Sequence, residues 1–458
     1  MSKRTKLFTF ISSTFLVVTA LPLSSCGLIK TKESVKAYKK SYRMNEIRIA
    51  EQNTFRKLNN VTFPQAENPL QSTMSDEEKQ AYSDFSDKTY RALVKTSKTD
   101  NFSYANLGLY SLLSEMVGAS SRADLTEDLN ELLGLTETNR FSFYRKMMQA
   151  NSFANEDSTT QLKNGAFFNN FFGYNQNFVN FLTDLYCEAY QLNFKTDADK
   201  MVEWVNKAVN SDGFVDTNFL ELTEDSELYL FSTLYFKHMW ADKYLAENNV
   251  EDDFYLSNGT KVKTTYMKHS YLTESYYDYG SYISFSDYYR GGAASITYLI
   301  PKSTDDNIFD LTKDVNIFEE DEEKLVKNEG EFMSYFNISL KTPKFKLKYD
   351  INFKNSLISL GFGDIFDPNV DSFKNAFDDE KLADYNIYVS VMKQRNEVEF
   401  NEDGTIVKSV SMSGISKAES AMIQGDELEI DLNQPFIYII KDCNEMPIFV
   451  GHVDNPNV

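Results

Sequence analysis

Little in this chain suits catalysis. Its three histidines, His238, His269 and His452, stand in no zinc-binding spacing such as His-Glu-x-x-His. A phosphate-cradling glycine loop and a Gly-x-Ser-x-Gly elbow are both missing. Carboxylates are plentiful, but no motif pairs them. An enzyme is therefore not expected, nor a metal or other cofactor. Cysteine is scarce: with Cys26 set aside for the reason given below, Cys187 and Cys443 either pair or stay as free thiols. No proline- or glycine-rich linker divides the second half, and no repeat suggests the two lobes of a solute-binding lipoprotein. Basic residues are outnumbered as well, 47 against 68 acidic, a net charge of −21. Such a surface repels phosphate backbones, so nucleic acid is not an expected partner. Arg140, Arg145 and Lys146 are too few to make a dense basic helix for sulphated polysaccharide. The acidic run from Glu319 to Glu323 lacks the glycine turn and spacing of a calcium loop, and is expected as a solvated helix face.

What is present begins with an address. Lys3, Arg4 and Lys6 precede an apolar run over residues 7–21, too short to span a bilayer comfortably. Leu23-Ser24-Ser25-Cys26 matches the bacterial lipobox, at which Cys26 would be diacylated and become the first mature residue. An ordinary secretory signal is the alternative. The expectation is a signal peptide over 1–25, a lysine-rich spacer over 26–74 with partial helix over 33–58, and one large α+β domain over 75–458. Ser75, followed by Asp76, Glu77 and Glu78, reads as a helix start, and Tyr82, Phe85, Tyr90 and Leu93 continue at helical spacing.

The C-terminal stretch is the most informative. Glu402-Asp403-Gly404-Thr405 forms a small polar bend. A run of small and β-branched residues without proline follows, from Ile406 to Met422. Two apolar strands, 436–440 and 448–453, are joined by a proline-bearing turn and read as a buried hairpin. A segment with strand chemistry, tethered at both ends to sheet, is a strand without a partner.

These residues resemble the serpin family. The Glu402–Thr405 hinge, Leu432-Asn433-Gln434-Pro435-Phe436 and the closing stretch from Pro447 to Pro456 match its C-terminal pattern in order and spacing. The run from Leu230 to Trp240 resembles its central strand and tryptophan, and Leu340 to Phe345 the strand before the second half of its fold. Leu357, Leu360-Gly361 and Ile365-Phe366 fit its following helix, and residues 101–119 its second helix. The likeness covers roughly residues 78–458. It implies an α+β serpin fold: a large central β-sheet, two further sheets, surrounding helices and an exposed reactive-centre loop. It also implies a suicide-substrate protease inhibitor, expected as a monomer, extracellular or held at the bacterial cell surface by its lipid alone. The alternative is a non-inhibitory binding or adhesion protein with the same fold.

In that family a cut loop inserts into the large sheet. Side chains of a strand alternate between faces. Counted from Thr405, one face carries Thr405, Val407, Ser409, Ser411 and Ser413, all small and uncharged, while Lys408 points to the other. Relatives with alanine there differ from Val407-Lys408-Ser409-Val410, but no charge would be buried. The family's gate beneath the sheet, two serines, an asparagine and a histidine, corresponds here to Ala105, Gly108, Ser232 and Gln394, with Trp240 above. A bond between Gln394 and Ser232 would rebuild the gate with fewer partners; the alternative is a mistuned sheet opening in a non-inhibitory relative. Counting from Gly404 sets the scissile bond between Ala418 and Glu419, which suits an elastase-like protease. A one-residue slip exposes Lys417 to a trypsin-like one, and counting back from Pro435 points near Met422.

Overall fold

The computed structural model describes residues 55–63, 73–96, 101–327, 335–407 and 426–457. The signal sequence, Cys26, most of the spacer and residues 408–425 lie outside them. So do Ser409, Ser411, Lys417, Ala418, Glu419 and Met422.

The first helix, α1 (Asp76–Thr96), starts as expected: Ser75 Oγ accepts from the Glu78 amide at 3.2 Å while Glu78 Oε2 accepts from the Ser75 amide at 2.8 Å. Tyr82, Phe85, Tyr90 and Leu93 are all buried along one face. The second helix, α2 (Asn106–Ala119), is buried almost all round, because it lies under the largest sheet. Helices α3 (Ala123–Leu133), α4 (Arg140–Ala150) and α5 (Gln176–Asp184) surround it. The short α7 (Ile308–Thr312) and α8 (Lys354–Ser359) complete the set.

Three sheets make the rest. The large one runs β1 (Arg56–Lys57), β5 (Cys187–Leu192), β4 (Ser158–Asn169), β6 (Leu228–Met239), β16 (Gly404–Val407), β15 (Lys393–Asn401), β14 (Phe345–Asn352), with β3 (Ser152–Ala154) beside β4. A second runs β12 (Leu325–Lys327), β9 (Ser275–Asp278), β10 (Tyr282–Tyr288), β11 (Ala294–Pro301), β18 (Phe436–Asp442), β19 (Pro447–Val453), β2 (Phe102–Tyr104). The third is β17 (Asp426–Asp431), β13 (Phe336–Pro343), β8 (Lys261–Thr273), β7 (Val250–Tyr255). The β18–β19 hairpin is wholly buried, as its unbroken apolar runs required. Helix α6 (Ala198–Ala208) lies on the large sheet. It comes so close that a Cβ on Gly165 would stand 2.8 Å from Trp204 Cζ2.

Several expectations change. Within residues 55–63, Arg56–Lys57 form β1 and pair with β5, so the part of 33–58 that is described is not the helix read there. The acidic run is not a helix face either. Its only helical part is the single 3₁₀ turn Glu322–Lys324, and Glu320 accepts from Tyr277 and pairs with the buried Lys441. Cys187 and Cys443 are free thiols.

Beneath the large sheet, α2 carries a carboxyl in an apolar setting. Glu115 is fully buried, and apart from the neighbouring Cys187 thiol neither of its oxygens has a partner. Burial pushes its carboxyl well above the ordinary value of 4.5. The folded state therefore favours the neutral form. Ionisation adds no cost below 4.5, and stability is lost as pH rises above that value. Glu115→Gln should raise the melting temperature by several degrees at neutral pH and leave it unchanged near pH ~4. An equal melting temperature at neutral pH would contradict this.

Candidate functional site

Strand β15 ends at Asn401, but the sheet continues past the polar bend. The chain reverses at Glu402-Asp403 and returns as β16, which pairs with β15 on one side and β6 on the other. Gly404 and Thr405, expected in the bend, are thus inside the sheet. The reversal is anchored on every side. Glu402 Oε1 accepts from Lys344 Nζ at 2.8 Å and from Asn249 Nδ2 at 2.6 Å. Asp403 pairs with Lys243 at 2.6 Å. The fully buried Trp240 donates its ring N–H to the Asn401 carbonyl at 2.9 Å and its amide to the Asp403 carbonyl at 3.2 Å.

Gly404 lies against β6 so closely that a Cβ there would be 2.0 Å from the His238 carbonyl oxygen. Only glycine allows the hinge this depth. Thr405 is 0% exposed, and its Oγ1 accepts from the Tyr289 hydroxyl at 2.7 Å. Tyr289 in turn stacks on Trp240 with ring centroids 4.9 Å apart. Opposite Thr405, His238 is buried against Phe236 and bonded to Thr160 at 2.8 Å. Burial lowers it to about 3, so it is neutral. The first residue of the inserted face therefore sits in a closed, uncharged pocket. Ile406 points to the other face and is half-buried. Val407 continues the strand, with its side chain outside the description.

Burial raises the Glu402 carboxyl, but the bonds from Lys344 and Asn249 outweigh it and leave it below its ordinary value. The anchor is therefore complete above pH 4.5 and is lost as pH falls through the lowered folded value. The protection factors of the Thr405 and Ile406 amides, exchange rates corrected for the intrinsic effect of pH, should fall in that acid window, and Lys344→Met should abolish the fall. Protection that stays constant across the window in the native protein would contradict the anchoring role.

Below β16 the sheet is open. Among the described residues no ladder joins the remaining length of β6 to that of β15. Two cavities follow the gap between them. One of about 60 Å³ is lined by Ala105, Ser232, Leu234, Gln394 and Asn396. The next, about 130 Å³, is lined by Leu112, Met116, Leu228, Leu230, Val391 and Lys393. The gate lies at the first. Gln394 does not make the bond to Ser232 that would rebuild the gate. Its Oε1 instead accepts from the Ala105 amide at 2.8 Å and its Nε2 donates to the Ala105 carbonyl at 3.1 Å. Residue 105, an alanine, cannot cap α2 itself, and Gln394 does so from the sheet. Asn396 adds a bond to Gln394 at 3.0 Å. Gly108 makes room, since a Cβ there would be 2.9 Å from Gln394 Nε2. Ser232 Oγ is buried without a partner. Tyr289, Lys344, Asn249 and Asn396 were missed by sequence reasoning. Tyr289, Lys344 and Asn249 approach from far along the chain and carry no local signal, while Asn396 lies two residues from Gln394 on the same strand.

Among the described residues no group of histidine, cysteine and acidic side chains could hold a metal ion. What the arrangement can do is accept chain: it is a sheet with a strand-wide slot filled only at its top.

A family model described as "Serpin (serine protease inhibitor)" matches residues 80–456. Serpin I2 of Homo sapiens is 26% identical over 387 residues, covering 80% of this chain and 88% of that protein. The solved structure of a thermophilic serpin, tengpin, in its native state superposes with a TM-score of 0.69 at 19% identity, over 85% of this chain and all of that one. Serpin48 of the insect Tenebrio molitor gives a TM-score of 0.66 at 21% identity, over 83% and 99% of the two chains.

Proposed function

Because the chain belongs to the serpin family, we propose that it is a protease inhibitor that works as a suicide substrate, trapping serine or cysteine proteases by inserting its cut loop between β6 and β15. Loop insertion is an established switching mode of the family. The observation that carries the reading for this chain is the slot itself, with its hinge already seated and its lower length open.

The chemistry belongs to the protease. Its serine Oγ attacks the Ala418 carbonyl carbon, and the serine proton passes through the protease's base to the Glu419 nitrogen. That amine leaves while Ala418 stays bound as an ester. The freed strand then extends β16 downward. Four residues past Val407, and four before Phe236 on β6, the present register sets Ser411 opposite Ser232. The same step on β15 sets it opposite Gln394. Insertion would thus bring a hydroxyl to the buried Ser232 Oγ, which has no partner now. About eight further residues fit before Leu228 ends β6. With two ladder bonds each at a net ~0.5–1.5 kcal/mol, they supply on the order of 10 kcal/mol. Losing one oxyanion-hole donor costs a protease about 2.7–4 kcal/mol in its deacylation barrier, so the supply is ample for distorting it.

The lipobox supports a location at the bacterial cell surface or outside the cell, with the chain held to the membrane through an acylated Cys26. The small Ala418 favours elastase-like targets, and cleavage after Lys417 would favour trypsin-like ones; a bond near Met422 is the other position for the cut. A second reading, a binding or adhesion protein without the trap, is favoured by one feature: no side-chain bond joins Gln394 to Ser232 across the gate. Mixing the protein with elastase, trypsin and subtilisin separates the two. An SDS-resistant complex, with the cut located by mass spectrometry, is the expected result. Clean cleavage by all three without a complex would establish the second reading.

A further inference from the structure

The outer edge of the large sheet is closed by a piece of chain that belongs to no other part of the domain. Along β5 the odd-numbered residues turn their backbone groups outward, and residues 56–59 meet them. Arg56 pairs with Gln191 in the ladder and Lys57 with Tyr190. The Leu58 amide donates to the Ala189 carbonyl at 2.8 Å. Where the strand ends, the Asn59 carboxamide takes over. Its Oδ1 accepts from the Ala189 amide at 2.9 Å, and its Nδ2 donates to the Cys187 carbonyl at 2.9 Å. Side chains reinforce the fit. Lys57 pairs with Glu188, Arg56 Nε donates to Gln191 Oε1 at 3.1 Å, and Phe55 stacks on Tyr190 with centroids 5.4 Å apart.

An open sheet edge is a template for another strand, and short strands rich in charge are a common way of closing one. Here β1 is two residues long and both are basic, in a chain of net charge −21. We propose that residues 55–59 are an edge guard, and that releasing them exposes β5 as a docking surface for the β5 of a second copy of this chain.

The geometry favours that occupant. β1 runs antiparallel to β5, so a second β5 taking its place in the same sense relates the two copies by a twofold axis and closes the assembly as a dimer. Pairing outward groups with outward groups puts Ala189 on that axis. Each Glu188 then faces the Tyr190 of the other copy, so no like charges are opposed. The Tyr190 hydroxyl already lies 3.0 Å from Glu188 within one chain. This inference is independent of loop insertion.

Two full-length variants test it by analytical ultracentrifugation. Leu58→Pro with Asn59→Ala removes the amide and the carboxamide that satisfy β5, and Arg56→Glu with Lys57→Glu sets like charge against Glu188. The native protein should sediment as a monomer, and either variant should show a roughly twofold rise in mass with increasing concentration. Each is also run after the reactive loop has been cut by protease. The dimer should persist, because its surface is β5. Monomers for both variants would overturn the proposal, and so would an association that disappears once the loop is cut.

Discussion

Cutting the chain between Ala418 and Glu419 is expected to raise the melting temperature by about 10–20 °C. The estimate rests on the open slot: on the order of 10 kcal/mol of ladder bonds remains unformed while the loop is intact. For a domain of this size each kcal/mol shifts the midpoint by roughly 1–2 °C. The intact protein must then be held by a barrier, not by equilibrium. Its source is visible. Below Val407 the strand must enter between β6 and β15 over α2, past Gln394, which is bonded to Ala105 and braced by Asn396. Differential scanning calorimetry of the intact and nicked protein measures the effect directly. A nicked form that melts at the same temperature as the intact one would mean that the slot is never filled, and the inhibitory reading would fail with it.

Thr405→Arg should turn an inhibitor into a substrate. Thr405 is fully buried beside the neutral His238 and holds the Tyr289 hydroxyl. Arginine there would bring a charge into a pocket with no counter-ion. An uncompensated buried charge costs about 3–5 kcal/mol, so arginine leaves the seated hinge and must be reburied during insertion; at 1.36 kcal/mol per decade the insertion rate falls by roughly 10²–10⁴. Hydrolysis of the acyl-enzyme then wins the race. On an SDS gel the complex band should give way to cleaved protein and free, active protease. The nicked variant should also lack the rise in melting temperature. Complex formation at the native yield would show that Thr405 does not lead the insertion.

Much of the framework is legible along the chain because it rests on local patterns. The reciprocal Ser75–Glu78 cap, the helical spacing of Tyr82 to Leu93 and the apolar β18–β19 hairpin follow from residues a few positions apart. The glycine at 404 also carries its own signal, since it is the one small residue between an acidic turn and a β-branched run. The edge strand was not legible. Arg56 and Lys57 read as part of a basic spacer, and only the outward groups of β5, some 130 residues away, make them a strand. The gate shows the same limit. Aligned positions identify Gln394 and Ser232, but not that Gln394 would choose the backbone of Ala105 over Ser232.

The sequence alone determined the α+β architecture, the family likeness and the alternation that sets small, uncharged residues in register with Thr405. These depend on periodicity, capping and order of motifs, all written within short windows. Tertiary structure alone decided how far the hinge is already seated, what anchors it and where the sheet stands open. Those depend on which distant backbone and side-chain groups meet after packing, since a hydrogen bond acts only over the final few ångströms and no spacing along the chain encodes that distance.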